Sequence, residues 1–76
     1  MTTTAHAADP IRITLNGEER RIPAATSVAA LLELLARPAQ RVAVERNQEI
    51  VPRTRFAEEI LAAGDRVEIV QFVGGG

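Results

Sequence analysis

Two short alternations of apolar and polar residues face each other across an Asn-Gly pair near the start of the chain. Ile11, Ile13 and Leu15 alternate with Arg12 and Thr14, a period of two that gathers the apolar side chains on one face of a strand. Asn16-Gly17 suits a two-residue type I′ turn, and Glu18 to Ile22 forms the return strand. Pro23 ends this hairpin. The period then changes: behind Thr26 and Ser27, whose hydroxyls suit a helix cap, Val28, Leu31, Leu32 and Leu35 fall at i, i+3, i+4 and i+7. That spacing predicts one amphipathic helix lying on the hairpin, closed by Arg37-Pro38.

Alternation resumes from Arg41 to Arg46, where Val42 and Val44 share a face, and a turn at Asn47-Gln48 leads to a short strand at Ile50-Val51. Pro52 suits the first position of a helical turn, with Phe56 and Ile60 as an i, i+4 apolar pair behind it. Gly64-Asp65 turns the chain into a last strand, Arg66 to Val73. The order predicts an α+β domain of β-grasp type: a mixed sheet with one main helix packed across it, and a short helical turn before the last strand. First and last strands are expected side by side at the sheet centre. The last strand breaks its alternation, because Val67 and Ile69 belong to one face whereas Val70 and Phe72 belong to the other. Either this strand is covered on both faces, or Val70 and Phe72 form an exposed patch where a partner docks.

Composition narrows the chemistry more than it narrows the fold. The 76 residues make one domain, read as a lead-in over 1–10, a folded body over 11–73 and a glycine tail over 74–76. A domain this small buries only about 60% of the surface its unfolded chain exposes, which leaves little room for an internal active site. There is no cysteine, and His6 is the single histidine. Neither a persulfide on the chain's own thiol nor a metal-ligand set can be built, so no metal and no bound cofactor are expected. Ser27 is the single serine and reads as a cap, so no Ser–His pair exists. Glu18-Glu19 and Glu58-Glu59 read as solvated pairs, and Gly17 and Gly64 are isolated turn glycines rather than a phosphate loop. The chain is therefore not expected to be an enzyme. With a net charge of −1, no basic run, and Phe56 and Phe72 as its aromatics, it is not expected to bind nucleic acid. No apolar stretch approaches the roughly 20 residues that span a bilayer. Met1 to Asp9 lacks the basic start of a secretory signal, so a cytoplasmic location is expected. All nine basic residues are arginine, which fits a codon preference or the removal of amines that would attack an activated carboxyl group.

What remains is the end, Gln71-Phe72-Val73-Gly74-Gly75-Gly76. Glycine loses more conformational entropy on ordering than any other residue, so three in a row contribute little to folding. Four residues beyond Phe72 reach about 13–14 Å when extended, and without β-carbons they can thread a narrow channel in another protein. A free α-carboxylate is a resonance-stabilised anion and a poor electrophile until it is converted to a mixed anhydride.

The segments Val44-Glu45-Arg46-Asn47-Gln48-Glu49-Ile50-Val51-Pro52-Arg53 and Gly64-Asp65-Arg66-Val67-Glu68-Ile69-Val70-Gln71-Phe72-Val73-Gly74-Gly75-Gly76 resemble the ThiS family, the ubiquitin-like β-grasp sulfur carriers of thiamine biosynthesis. The resemblance runs from Ile11 to Gly76, and its specificity lies in the Asn-x-x-Ile-Val-Pro-Arg segment, the Gly-Asp turn and the Gly-Gly end occurring in that order. It implies that a ThiF-like adenylyltransferase activates the Gly76 carboxylate with ATP and Mg²⁺, both used by that partner. Sulfur from a cysteine-desulfurase persulfide then replaces AMP to give a terminal thiocarboxylate, and thiazole synthase, ThiG, takes the sulfur. Carried over by position, Gly76 is the modified residue, Gly74 and Gly75 are recognised with the tail, and Val70, Phe72 and Val73 dock the partners. Two departures stand out: Met1 to Pro10 has no counterpart in compact family members, and Gly74 replaces an alanine common among them. Carriers serving molybdopterin synthase or cysteine synthesis share the Gly-Gly end and the reaction type. A ubiquitin-type modifier would join its terminus to target lysines, and a β-grasp interaction domain would carry an inert tail.

Overall fold

The computed structural model describes residues 9–72. Its elements are β1 (Pro10–Leu15), β2 (Glu18–Pro23), α1 (Val28–Leu34), a 3₁₀ turn (Ala39–Arg41), β3 (Val42–Arg46), β4 (Glu49–Val51), a second 3₁₀ turn (Arg53–Arg55) and β5 (Arg66–Gln71). The five strands form one sheet in the order β2-β1-β5-β3-β4. β1 and β5 are parallel at its centre and the other neighbours are antiparallel. This is the expected β-grasp arrangement. Asn16 and Gly17 adopt φ of 49° and 85°, as a type I′ turn requires at both central positions. β1 starts at Pro10, which pairs with Pro23, and the Ala24 N–H donates to the Asp9 carbonyl at 3.2 Å.

The core lies between one sheet face and α1. Ile13, Val28, Leu31, Leu32, Val44 and Val67 are fully buried there, from strand positions two apart and helix positions three and four apart. The helix start is closed by side chain and backbone together. Ser27 Oγ accepts from the Ala30 N–H at 3.0 Å, while the Val28 and Ala29 amides donate to the Glu59 and Phe56 carbonyls, each at 2.9 Å. Amides that have no partner inside a helix thus tie it to the segment leading into β5. Thr26 does not cap the helix, because its hydroxyl donates to the Pro23 carbonyl.

The helix stops before Arg37-Pro38. Ala36 takes a left-handed φ of 56°, its N–H donating to the Glu33 carbonyl at 3.1 Å and that of Arg37 to the Leu32 carbonyl at 2.9 Å. These two bonds make a Schellman stop at a position usually filled by glycine. The left-handed conformation costs an L-residue about 1–2 kcal/mol, against an entropic cost of about 0.5–1 kcal/mol for glycine. Ala36→Gly should therefore stabilise the fold by about 0.5–1 kcal/mol, seen as a higher urea midpoint with unchanged slope.

Three expectations need correction. Pro52 precedes the second 3₁₀ turn rather than opening it, since its ψ of 145° is extended. Phe56 is 4% exposed, but its expected partner Ile60 is 48% exposed and Leu61, at 3%, enters the core instead. Beyond the 3₁₀ turn the chain straightens to form a bridge between Ile60 and Ser27, so helical spacing no longer applies and the residue after Ile60 turns inward. Finally, β5 ends at Gln71 rather than at Val73, which lies outside the described residues. Among the described residues, no helix is long and apolar enough to cross a membrane.

Candidate functional site

β5 carries the chain to its glycine end, so how it is held decides where that end is presented. Val70 and Phe72 are 61% and 56% exposed. The strand is central in the sheet, yet only the face of Val67 and Ile69 is covered by the helix, which rules out burial on both faces. Val70 lies opposite Ala43 on β3, with Glu45 facing Glu68 two pairs further along, on the same face. Exposed Ile50 lies opposite Glu45 on β4. The open face is thus an apolar strip of Ala43, Val70 and Phe72 bordered by two carboxylates. Val73, Gly74, Gly75 and Gly76 lie outside the described residues, so of the sequence-predicted site only Val70 and Phe72 are placed.

Two polar clusters, neither assigned a role from the sequence, grip β5. At its start, Asp65 is buried at 7% exposure. Asp65 Oδ2 accepts from Arg46 Nε at 2.7 Å and from the Ala62 N–H at 2.8 Å, and Oδ1 accepts from Asn47 Nδ2 at 3.1 Å. Asn47 Oδ1 in turn accepts from the Arg66 N–H at 2.9 Å. Arg46 also donates to Glu59 at 2.8 Å, so Glu59 is not the solvated acid its neighbour Glu58 suggested. The two sequence segments that carry the family resemblance therefore meet physically, through Asn47 of the first and Asp65 of the second.

Burial pushes the Asp65 carboxyl up, but the Ala62 amide, Asn47 and Arg46 together outweigh it, and the group titrates below its ordinary value of 3.8. The hydrogen bond to Glu59 raises the Arg46 guanidinium above its ordinary value, against its own desolvation. A carboxyl depressed in the folded state contributes stability that is fully present above its unfolded value and lost as pH falls through the folded value. Stability from this group should be level across about pH 5–8 and decline in acid below about pH 4. Asp65→Asn should weaken the fold by about 1–3 kcal/mol at neutral pH and flatten that acid limb, read from urea midpoints against pH.

The second cluster lies further along β5. β1 pairs with β5 only at Thr14↔Arg66 and Leu15↔Val67, and the hairpin then turns away. Asn16 Oδ1 accepts from the Ile69 N–H at 2.8 Å and Asn16 Nδ2 donates to the Ile69 carbonyl at 3.2 Å. On the other side, β3 accompanies β5 as far as Gln71, and the Phe72 N–H donates to the Arg41 carbonyl at 2.8 Å. Arg37 donates to Gln71 Oε1 at 2.9 Å. An open groove of about 690 Å³ runs beside this strand end, floored by Leu15, Leu35 and Ile69 and rimmed by Arg20 and Arg37. Among the described residues, no nucleophile and base lie together there.

The ThiS family model matches residues 13–76. A thiazole synthase of Paramagnetospirillum magneticum is 47% identical over 66 residues, which are 87% of this chain and 20% of that protein. The sulfur carrier protein ThiS of Escherichia coli is 33% identical over 66 residues, 87% of this chain and 100% of that one. The crystal structure of the thiamine biosynthesis protein ThiS from Geobacter metallireducens superposes with a TM-score of 0.75 at 33% identity, covering 87% of this chain and 100% of that chain. The chain spans 20% of the length of the thiazole synthases it matches.

Proposed function

Because the chain belongs to the ThiS family, we propose that it is a sulfur carrier for the thiazole moiety of thiamine, acting through the terminal carboxylate of Gly76. A ThiF-like adenylyltransferase binds ATP and Mg²⁺ and joins the Gly76 carboxylate to AMP with release of pyrophosphate. A cysteine-desulfurase persulfide attacks the acyl adenylate and displaces AMP, forming an acyl disulfide. A second thiol cleaves its S–S bond, is oxidised to a disulfide with the desulfurase cysteine, and releases a terminal thiocarboxylate that gives its sulfur to thiazole synthase. The chain is a protein co-substrate in the cytoplasm rather than an enzyme, and it binds no cofactor of its own.

The observation that carries this reading is the exposed pair of Val70, on β5, and Phe72, just past its end, where the strand held in register from both sides leads toward the tail. A docking face next to the reactive end lets the folded body bring that end to a partner, which converts a bimolecular encounter into a near-unimolecular step. Thiazole synthase as sulfur acceptor is supported by proteins of that name containing a segment similar to this chain. A tethered thiocarboxylate also keeps reactive sulfide from diffusing away.

The test is reconstitution with a ThiF-like adenylyltransferase, ATP and Mg²⁺. Pyrophosphate should be released in proportion to carrier, and none from carrier whose C-terminal carboxyl is amidated. After a sulfur donor is added, a single thiocarboxylate species consumed by thiazole synthase supports the reading. A ladder of lysine-linked conjugates, or a thiocarboxylate that only molybdopterin or cysteine synthesis consumes, overturns it.

A further inference from the structure

We propose that Asn16 is a positioning residue for the C-terminal arm: its side-chain amide stands in for the missing end of β1 and fixes the line along which the chain leaves the sheet after Gln71. This inference rests on the reading that Gly76 is the activated residue.

β5 runs from Arg66 to Gln71, but its parallel neighbour ends at Leu15 opposite Val67. A continuing parallel strand would offer one acceptor and one donor to every second residue of β5. Asn16 supplies the next such pair, at Ile69, from its side chain alone. Its own N–H donates to the Val67 carbonyl at 2.9 Å, and its carboxamide then accepts from the Ile69 N–H and donates to the Ile69 carbonyl. The partners are 53 residues apart in sequence. Past Val67 this amide is what holds the hairpin-side backbone of β5, while β3 holds the opposite edge.

The position makes two demands that few residues meet together. It needs a left-handed backbone, φ 49°, which asparagine tolerates and most side chains do not. It also needs a donor and an acceptor on one short side chain. Glycine satisfies the turn but has no amide, and aspartate keeps an acceptor but turns a carboxylate oxygen toward the Ile69 carbonyl. Without the clamp, the segment that bears Val70, Gln71 and Phe72 is held only along its β3 side, by β3 and by the Arg37 and Arg41 contacts, and can pivot about that edge. Gly76 follows that segment in sequence, so the direction in which Val70 to Phe72 are held sets where the tail enters a partner's channel. Misplacement of about 1 Å is enough to cost up to about 100-fold in rate.

The experiment uses the full chain with Asn16→Gly and Asn16→Asp, measuring three things: the urea midpoint, amide hydrogen exchange at Ile69, and kcat and KM of adenylation by a ThiF-like enzyme. Asn16→Gly keeps a Gly-Gly type I′ turn, so the hairpin should persist. Exchange at Ile69 should accelerate by about 10-fold relative to neighbouring core amides, the effect of losing one pair of bonds. kcat should fall by about 10-fold while KM, set by the docking face, changes less than about two-fold. Asn16→Asp should lose at least as much kcat. Wild-type kcat in Asn16→Gly overturns the proposal. So does a loss of kcat in both variants that follows collapse of the whole unfolding transition, because Asn16 would then be a folding element only. If the unsubstituted chain releases no pyrophosphate, the sulfur-carrier reading fails instead, and the Ile69 exchange ratio alone decides the clamp.

Discussion

Removal of Gly75 and Gly76 is expected to abolish sulfur transfer while leaving the unfolding transition where it was. Among the described residues the core runs from Ile13 to Ile69, and the polar clusters that hold β5 end at Gln71 and Phe72. Stability should therefore change by less than about 0.5 kcal/mol, as for a surface change remote from any packed group. The reacting carboxyl, by contrast, is drawn back by two residues, about 7 Å of extended chain. No adjustment of the docked body recovers that distance, because the same apolar strip that would have to slide is what binds the partner. Pyrophosphate release and thiocarboxylate formation should both fall to background, and a urea titration should superpose on that of the full chain. Retained transfer would make the tail inert and the domain a simple interaction module.

The second large effect is expected at the docking strip. Val70→Asp and Phe72→Asp place a carboxylate where an apolar side chain is read as being buried against the activating enzyme. Truncating a residue at the centre of an interface costs about 2 kcal/mol or more, and an unpaired charge there costs further desolvation. KM for adenylation should rise by about 30-fold, the equivalent of about 2 kcal/mol, with kcat largely recovered at saturating carrier. Because both side chains are more than half exposed in the free protein, stability should move by no more than about 0.5 kcal/mol. A fall in kcat at unchanged KM would place these residues outside the docking face. The contrast with Asn16, where kcat is expected to move and KM to stay, separates holding the partner from aiming the arm.

Much of the fold was legible because it rests on local periodicity. The alternation of Ile11, Ile13 and Leu15, the Asn-Gly turn and the helical spacing from Val28 each declare themselves within a few residues. The pattern alone does not force the sheet order, which was expected only through the β-grasp fold that this succession fits. Phe56 and Ile60 misled because an i, i+4 spacing presupposes a helix, whereas a 3₁₀ turn and an isolated bridge bring Leu61 inward instead. Val70 and Phe72 were undecided for a different reason. Period two tells which face of a strand a residue occupies, but not whether anything covers that face. Asn16 was visible only as a turn residue, since its second role joins positions 53 apart. Arg46, Asn47, Glu59 and Asp65 were hidden in the same way: the motif containing Asn47 and Asp65 could be recognised as a string, but its physical content is a hydrogen bond across the fold.

The central claim is that the last carboxyl group of this chain is converted to a thiocarboxylate. Intact mass spectrometry of the protein from thiamine-limited cells containing the activating enzyme tests it most directly. Replacement of one oxygen by sulfur at an activated acyl carbon adds about 16 Da, and fragmentation should localise that increase to Gly76. An unmodified mass under the same limitation, or the same increase localised elsewhere in the chain, would contradict the account.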